Sequence, residues 1–199
     1  MEKRKIAAFD FDGTITTKDT FLRFIKFSKG SLAFYWGLLL YSPVILAYKL
    51  KLYPNWKAKQ LVFTHFFKGM EHSRFIHLGE RFAAEVEIIK RPLAFEEISL
   101  HQGQGTKVYI ITASIYEWVF PWCMKNGIES LLATNIEVDS AGLITGKFLS
   151  PNCYGREKVI RLLEKEPDRN SYTLFAYGDS RGDRELIEFA DKGWFKKFN

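Results

Sequence analysis

Lys5-Ile6-Ala7-Ala8-Phe9-Asp10-Phe11-Asp12-Gly13-Thr14 is the stretch on which the fold turns. A short apolar run stops abruptly at a carboxylate, followed by a second carboxylate two residues on, a glycine and a hydroxyl. Consecutive apolar residues are what a strand buried on both faces requires, and a polar ending is what such a strand delivers at its carboxyl edge. Two further runs repeat the pattern: Lys107 to Ile111 ends at Thr112-Ala113-Ser114, and Tyr172 to Ala176 ends at Tyr177-Gly178-Asp179. In an open parallel sheet, ligands bind in the crevice outside the carboxyl ends of the strands. The three endings therefore predict one shared site.

Working outward, Val119 to Asn126 reads as a helix stopped at Gly127. Two alternating runs between Thr134 and Phe148 read as a hairpin around Asp139-Ser140-Ala141-Gly142. Gly155 to Glu166 places apolar residues at 159, 160, 162 and 163 among charges, an amphipathic helix, and Arg184 to Ala190 reads as another. Strands alternating with helices make this an α/β chain with a parallel sheet. Residues 18–92 differ. They are rich in Phe, Leu, Tyr and Trp, show no strand signal, and are broken by Pro43 and Pro54 and ended by Pro92. The expected organisation is a core of residues 1–17 and 93–199, with residues 18–92 a helical insertion over its active edge.

A chain of 199 residues, 47% hydrophobic, is long enough for one core and a small second lobe. A charged fraction of 26% and the lack of repeats or low-complexity tracts exclude a disordered chain. The net charge of +6 allows attraction to anionic membranes or phosphorylated substrates. Its basic residues are scattered and form no nucleic-acid motif, so no nucleic-acid partner is expected. Cys123 and Cys153 make neither a disulfide framework nor a zinc pair, which suits a reduced cytosolic compartment. Ile6 to Phe9 is too short an apolar run for a signal peptide, so export is not expected.

Asp10 and Asp12 lie two apart, and in strand geometry such residues share a face. Like charges held that close call for a cation, and oxygen-only ligands suit Mg²⁺. Gly178-Asp179-Ser180-Arg181-Gly182-Asp183 adds two more carboxylates after a strand, making a metal set of Asp10, Asp12, Asp179 and Asp183. Phosphoryl transfer also needs donors for the equatorial oxygens and a positive charge. Thr112 and Ser114 can supply the donors, and Lys158, opening the helix after Gly155, the ammonium.

Asp10-x-Asp12-Gly13-Thr14, Thr112-Ala113-Ser114, Lys158 and Gly178-Asp179-x-x-x-Asp183 resemble, in order, the four motifs of the haloacid dehalogenase (HAD) superfamily. The resemblance implies a HAD-like Rossmannoid core with a helical cap inserted between the first and second motifs. It implies that Asp10 is the nucleophile, and that Asp12 protonates the leaving oxygen and then activates water. Mg²⁺ would be held by Asp10, the backbone carbonyl of Asp12 and Asp179, with Asp183 behind them, while Thr112 and Lys158 clamp the phosphoryl oxygens. An Asp in the second position implies phosphatase chemistry.

The large insertion, Gly142 to Lys147 and Asn152 to Val159 resemble the phosphoserine-phosphatase-like subclass. Phosphoserine phosphatases carry Glu in the region of Asp19 and Ser where Gly13 stands, and their caps are less apolar, so phosphoserine itself is not the expected substrate. Asp19 remains a candidate substrate contact at the mouth of the cap.

Leu32 to Tyr48 (LAFYWGLLLYSPVILAY) is seventeen residues without a charge, between Arg23, Lys26 and Lys29 on one side and Lys49 and Lys51 on the other. At about 1.5 Å per residue it reaches roughly 25 Å, against the ~20 residues a bilayer needs. One crossing would also put Asp10 and Asp179 on opposite sides of a membrane. With Pro43 in its middle, the segment reads either as a helix pair inside the cap or as one that dips into a membrane surface and returns, and its aromatic and cationic flanks favour the second. Together with Phe63 to Gly69, this is similar to the bacterial phosphatidylglycerophosphatase C type of HAD phosphatase. That similarity implies a lipid phosphomonoester substrate and a place on the cytoplasmic face of the inner membrane. The alternative is a soluble, cytoplasmic phosphatase of small metabolites, such as a phosphoserine phosphatase.

Overall fold

The computed structural model describes residues 3–50 and 52–198. Lys51, named above as a flanking cation, and the outer ends of the core range at 1, 2 and 199 lie outside the described residues. Strand β1 (Arg4–Phe9) leads into helices α1 (Thr20–Lys29), α2 (Ser31–Leu40), α3 (Ser42–Lys49), α4 (Asn55–Phe67) and α5 (His72–Ile89). Helix α6 (Pro92–Gly103), opened by its proline, returns the chain to β2 (Lys107–Ile115). Then come α7 (Tyr116–Lys125), β3 (Ser130–Thr134), the hairpin β4 (Ile136–Val138) and β5 (Ile144–Phe148), α8 (Arg156–Lys165), β6 (Tyr172–Gly178), α9 (Arg184–Phe189) and β7 (Lys192–Phe195).

Five strands form one sheet in the order β3-β2-β1-β6-β7, every neighbouring pair parallel. The α/β fold with a parallel sheet is thus as the strand endings implied. Strand β1 is central. Phe9 lies opposite Ile110 of β2 and Tyr177 of β6, so the residues that follow each strand emerge side by side at one edge. Alternation along β1 sends Ile6 and Ala8 to a core layer with Leu162, Leu174 and Leu186, and Ala7 and Phe9 to a larger one with Ala94, Ile98 and Trp122.

Two of the five strands were not foreseen. Strand β3 is a short SLLAT segment, and edge strand β7 is KGWF, mostly exposed; neither needs the two-sided apolar run that marks a central strand. Strand β2 also runs on through Thr112, Ala113 and Ser114, but its register with β3 breaks between Ile111 and Ile115, so that stretch leaves the regular ladder.

The aromatic wealth of the helical stretch has two explanations. Phe24, Phe63, Phe67, Phe75 and Phe82 are buried together, with Phe24 stacked on Trp118 of α7 at a ring distance of 4.7 Å. Burying each such side chain contributes about 1.5–3 kcal/mol, which binds these helices to the core. Helices α2 and α3 follow another rule. Only Phe34 and Gly37 of α2 and no residue of α3 are buried, while Trp36 is 65% and Leu39 64% exposed. The burial that an interior helix pair requires is absent here. Among the described residues no single helix is long and apolar enough to cross a membrane; α2 and α3 meet that measure only as a pair, bent by 61°. The bend falls at Tyr41, just before Pro43 in the first turn of α3.

Helix α4, by contrast, is clasped by the hairpin. Thr64 Oγ1 donates to the Gly146 carbonyl (2.7 Å), the Phe148 amide to Gln60 Oε1 (3.0 Å), and the Gly69 amide to the Ile144 carbonyl (2.8 Å).

Candidate active site

The turn after β1 is built for close approach. Gly13 has φ +84°, and a Cβ placed on it would lie 2.3 Å from Asp179 Oδ2, so only glycine lets this turn meet the end of β6. Asp10 is anchored by its amide donating to the Tyr177 carbonyl (2.9 Å), and Thr14 Oγ1 donates to Asp179 Oδ1 (3.1 Å).

Carboxylate oxygens of Asp10, Asp179 and Asp183 all lie within 4.8 Å of one another. Lys158, 1% exposed, donates from Nζ to Asp10 Oδ1 (2.5 Å) and Asp183 Oδ1 (2.6 Å). Asp183 Oδ2 is taken up by the amides of Asp179 (3.2 Å) and Ser180 (2.9 Å) and the Ser180 hydroxyl (2.9 Å). A hard, oxygen-only donor set of this kind fits Mg²⁺. Asp10 and Asp179 would hold it with the backbone carbonyl of Asp12, while Asp183, its oxygens already engaged, orders the loop and Lys158.

The Asp12 carboxylate stands apart from the cluster. Its Oδ1 accepts from the Thr20 amide (2.7 Å) at the start of α1, and its Oδ2 from the Ser114 hydroxyl (2.5 Å). Ser114, read from sequence as a substrate donor, spends that hydroxyl on Asp12 and Thr20 and does not line the cleft. Thr112 does line it, its Oγ1 accepting from the Ser114 amide (3.0 Å). Asp19 lines the cleft too, but its Oδ1 also caps α1 by accepting from the Leu22 amide (3.0 Å).

Burial pushes the Asp10 carboxyl up to about 8 against the pull of Lys158. Burial, aided by the charge of Asp19, pushes Asp12 up to about 6. Burial works the same way on Asp183, yet Lys158 wins and holds it below the ordinary carboxylate range. Burial lowers Lys158 in turn, but Asp10 and Asp183 outweigh it and keep the ammonium charged. The arrangement thus sets a carboxylate oxygen beside a fixed cation, with a second acid able to exchange a proton near neutrality.

A cleft of about 540 Å³ opens onto this cluster. Its floor is Asp10, Asp12, Thr112, Lys158 and Asp183; its opposite wall is Phe21, Leu38, Ile45, Tyr48, Lys59 and Val62 from the helices. Two residues that tie this region together escaped sequence reading, Lys59 in the cleft wall and Arg91 at the turn after β1. Lys59 of α4 donates from Nζ to the Ala113 carbonyl (2.7 Å), and Arg91 donates from Nε to the Gly13 carbonyl (3.1 Å) and from Nη1 to that of Phe198 (3.2 Å). Neither lies in a motif; Arg91, just before Pro92, carries no local signal of its distant partners.

Comparison with known proteins follows the same lines. The protein called CicA from Caulobacter vibrioides is 33% identical over 194 residues, covering 97% of this chain and 86% of that one. A crystal structure of a protein of unknown function from Bordetella pertussis Tohama I superposes with a TM-score of 0.82 at 18% identity, over 94% of this chain and 87% of the other. A phosphoserine phosphatase captured as a phospho-aspartyl intermediate analogue superposes with a TM-score of 0.64 at 18% identity, over 95% and 84%. These two structures share the fold. The sequence profile of the haloacid dehalogenase-like hydrolases matches residues 7–188, nearly the whole chain, and the protein belongs to that family of enzymes.

Proposed function

We propose that the protein is a Mg²⁺-dependent phosphomonoesterase acting on a membrane lipid phosphate, converting phosphatidylglycerophosphate to phosphatidylglycerol and phosphate at the cytoplasmic membrane face. One observation carries the lipid reading. Leu38, Ile45 and Tyr48 line the cleft, while Trp36, Leu39, Leu40 and Leu46 of the same two helices are exposed. One bent pair therefore serves as wall of the site and as an outward apolar surface. Exposed apolar patches of this kind mark membrane or partner contacts. Lys26 and Lys29 end α1 just before the pair and Lys49 closes it, placing cations where anionic headgroups would lie.

In the proposed reaction a carboxylate oxygen of Asp10 attacks phosphorus and the bond from phosphorus to the lipid oxygen breaks. Asp12, held by Thr20 and Ser114, delivers a proton to that leaving oxygen. The resulting aspartyl phosphate is hydrolysed by water, whose proton Asp12 takes back, and phosphate departs. Lys158 opposes the burial that raises Asp10 and offers its ammonium to a phosphoryl oxygen. Bound Mg²⁺ would neutralise phosphoryl charge as a Lewis acid. The helices α1–α5 act in this reading as a cap that keeps bulk water from the site.

The test is Mg²⁺-dependent phosphate release from phosphatidylglycerophosphate in mixed micelles, phosphatidic acid, phosphoserine and para-nitrophenyl phosphate, with Asp10→Asn as the blank. Preference for phosphatidylglycerophosphate is expected. Preference for phosphoserine would overturn the lipid reading and leave the phosphatase chemistry in place.

A further inference from the structure

Lys59 is a cation that the phosphoryl chemistry does not use. Lys158 already pairs with Asp10 and Asp183 at the reacting centre. Lys59 sits on the helical wall of the same cleft, its Nζ 5.2 Å from the centre of the Phe21 ring. It is half-buried, and burial pulls its pKa down, opposed by the fields of Asp12, Asp19 and Asp10. Its hydrogen bond among the described residues goes to a neutral group, the Ala113 carbonyl, which takes one of three ammonium protons. The acids closest in effect are engaged elsewhere, Asp12 with Thr20 and Ser114, and Asp19 with the Leu22 amide. Nor is the position loose, because α4 is clasped to the hairpin through Gln60, next to Lys59, and Thr64, a turn further on.

The carboxylates of Asp12, Asp19 and Asp10 act on Lys59 from beyond ion-pair distance among the described residues, and a partly desolvated ammonium so placed gains from a ligand that brings an anion to it. The apolar neighbours Phe21, Leu38, Ile45 and Val62 leave the ligand's own charge as the natural partner. We propose that Lys59 forms a second anion subsite, and that the substrate is an amphiphile bearing a second negative charge, of the phosphodiester class, beside the phosphomonoester that Asp10 attacks. The inference rests on the phosphomonoesterase reading above and assigns a residue to the second charge of its substrate. Lys59 is then a specificity-determining residue that separates diester-bearing phosphomonoesters from those with one phosphate alone.

The experiment uses the full chain with Mg²⁺ and three soluble probes: dihexanoyl phosphatidylglycerophosphate, which carries the second anion, dihexanoyl phosphatidic acid, which does not, and para-nitrophenyl phosphate. The readout is the ratio of kcat/KM between the first two. Wild type is expected to favour the diester-bearing probe by about 10–100-fold, the size of one charge-assisted contact. Lys59→Met should collapse that ratio to within about threefold of unity through KM, and Lys59→Arg should keep most of it. An unselective wild type would overturn the proposal. So would a ratio that survives Lys59→Met, or an equal fall in kcat on all three probes, which would make Lys59 a support for the Thr112–Ser114 loop. Should Lys59→Met not fold, Lys59→Gln decides by the same ratio. If wild type prefers para-nitrophenyl phosphate to both lipids, the lipid reading fails on its own, and the ratio between the two acyl probes still decides the role of Lys59.

Discussion

Replacing Lys158 by Met keeps the length of the side chain and deletes its charge, leaving Asp10 and Asp183 buried without their shared cation. Each Oδ1 loses a charge-assisted hydrogen bond, worth about 1.5–3 kcal/mol apiece, and breaking a buried pair costs about 3–5 kcal/mol. Part of this is offset because Asp10 can accept a proton. Its carboxyl already stands at about 8 with Lys158 pulling it down, and without that pull it rises further. The net loss expected near pH 8 is then about 2–4 kcal/mol, or a fall in Tm of roughly 5–15 °C for a chain of this size. The pH dependence has a definite sign. Asp10 in the variant has a folded pKa well above its unfolded value, which destabilises the fold increasingly as pH rises from about 4. Asp183 is depressed by Lys158 in the wild type, a contribution present at neutral pH and lost on acidification. The Asp183 effect makes the gap between the two proteins smaller near pH 4 than near pH 8, and the Asp10 effect widens it only above about pH 8, where the wild-type carboxyl ionises. Thermal and urea unfolding at pH 4, 6 and 8, in a chelator to exclude metal, would measure it. A gap below about 1 kcal/mol at pH 8, or one flat with pH, would refute Lys158 as the compensating cation. Turnover at pH 7 should fall by at least ~100-fold, since the ammonium that would meet the charge on the phosphoryl oxygens is gone.

Gly13→Ala is expected to lower metal affinity by about 10–100-fold, because the new Cβ must displace the Asp179 carboxylate; isothermal titration with Mg²⁺ or Mn²⁺ checks this. Metal affinity in wild type should rise from pH 6 to 8, because burial holds a proton on Asp10 up to about 8 and binding must expel it; affinity independent of pH would contradict this. Replacing Leu39 and Leu40 by Asp, both exposed on α2, should release the protein from anionic vesicles in a flotation assay while turnover of para-nitrophenyl phosphate stays within about twofold, since the change lies outside the cluster. Unchanged vesicle binding would count against the bent pair as the membrane contact.

How far the sequence could be read depended on whether a residue's meaning was local. The endings of β1, β2 and β6 were legible because a buried parallel strand must be apolar and its exit polar. The edge strand β7 was not, since exposure removes the constraint that makes a strand visible. The carboxylates and Lys158 could be placed by chemistry, but the turning of Ser114 onto Asp12 could not, as it depends on where α1 sets Thr20. Lys59 and Arg91 were invisible for the same reason. Lys59 finds Ala113 across 54 residues of chain and Arg91 finds Gly13 across 78, and no short pattern encodes such distances. For the apolar segment the sequence left two readings open, and the structure shows only that little of α2 and α3 is buried.

The clasp between α4 and the β4–β5 hairpin divides the helical stretch unequally. Thr64 and Gln60 are tied to the hairpin, whereas Ser31 to Lys49 forms an arm outside that tie, with little buried. On the membrane reading proposed above, contact with the bilayer falls to this arm, which also walls the cleft, and the reacting carboxylates to the rest of the polypeptide. An arm of equal length but different surface could be grafted between Gly30 and Pro54 to send the same carboxylates to a different compartment or a different class of ester, with the reacting centre left as it stands.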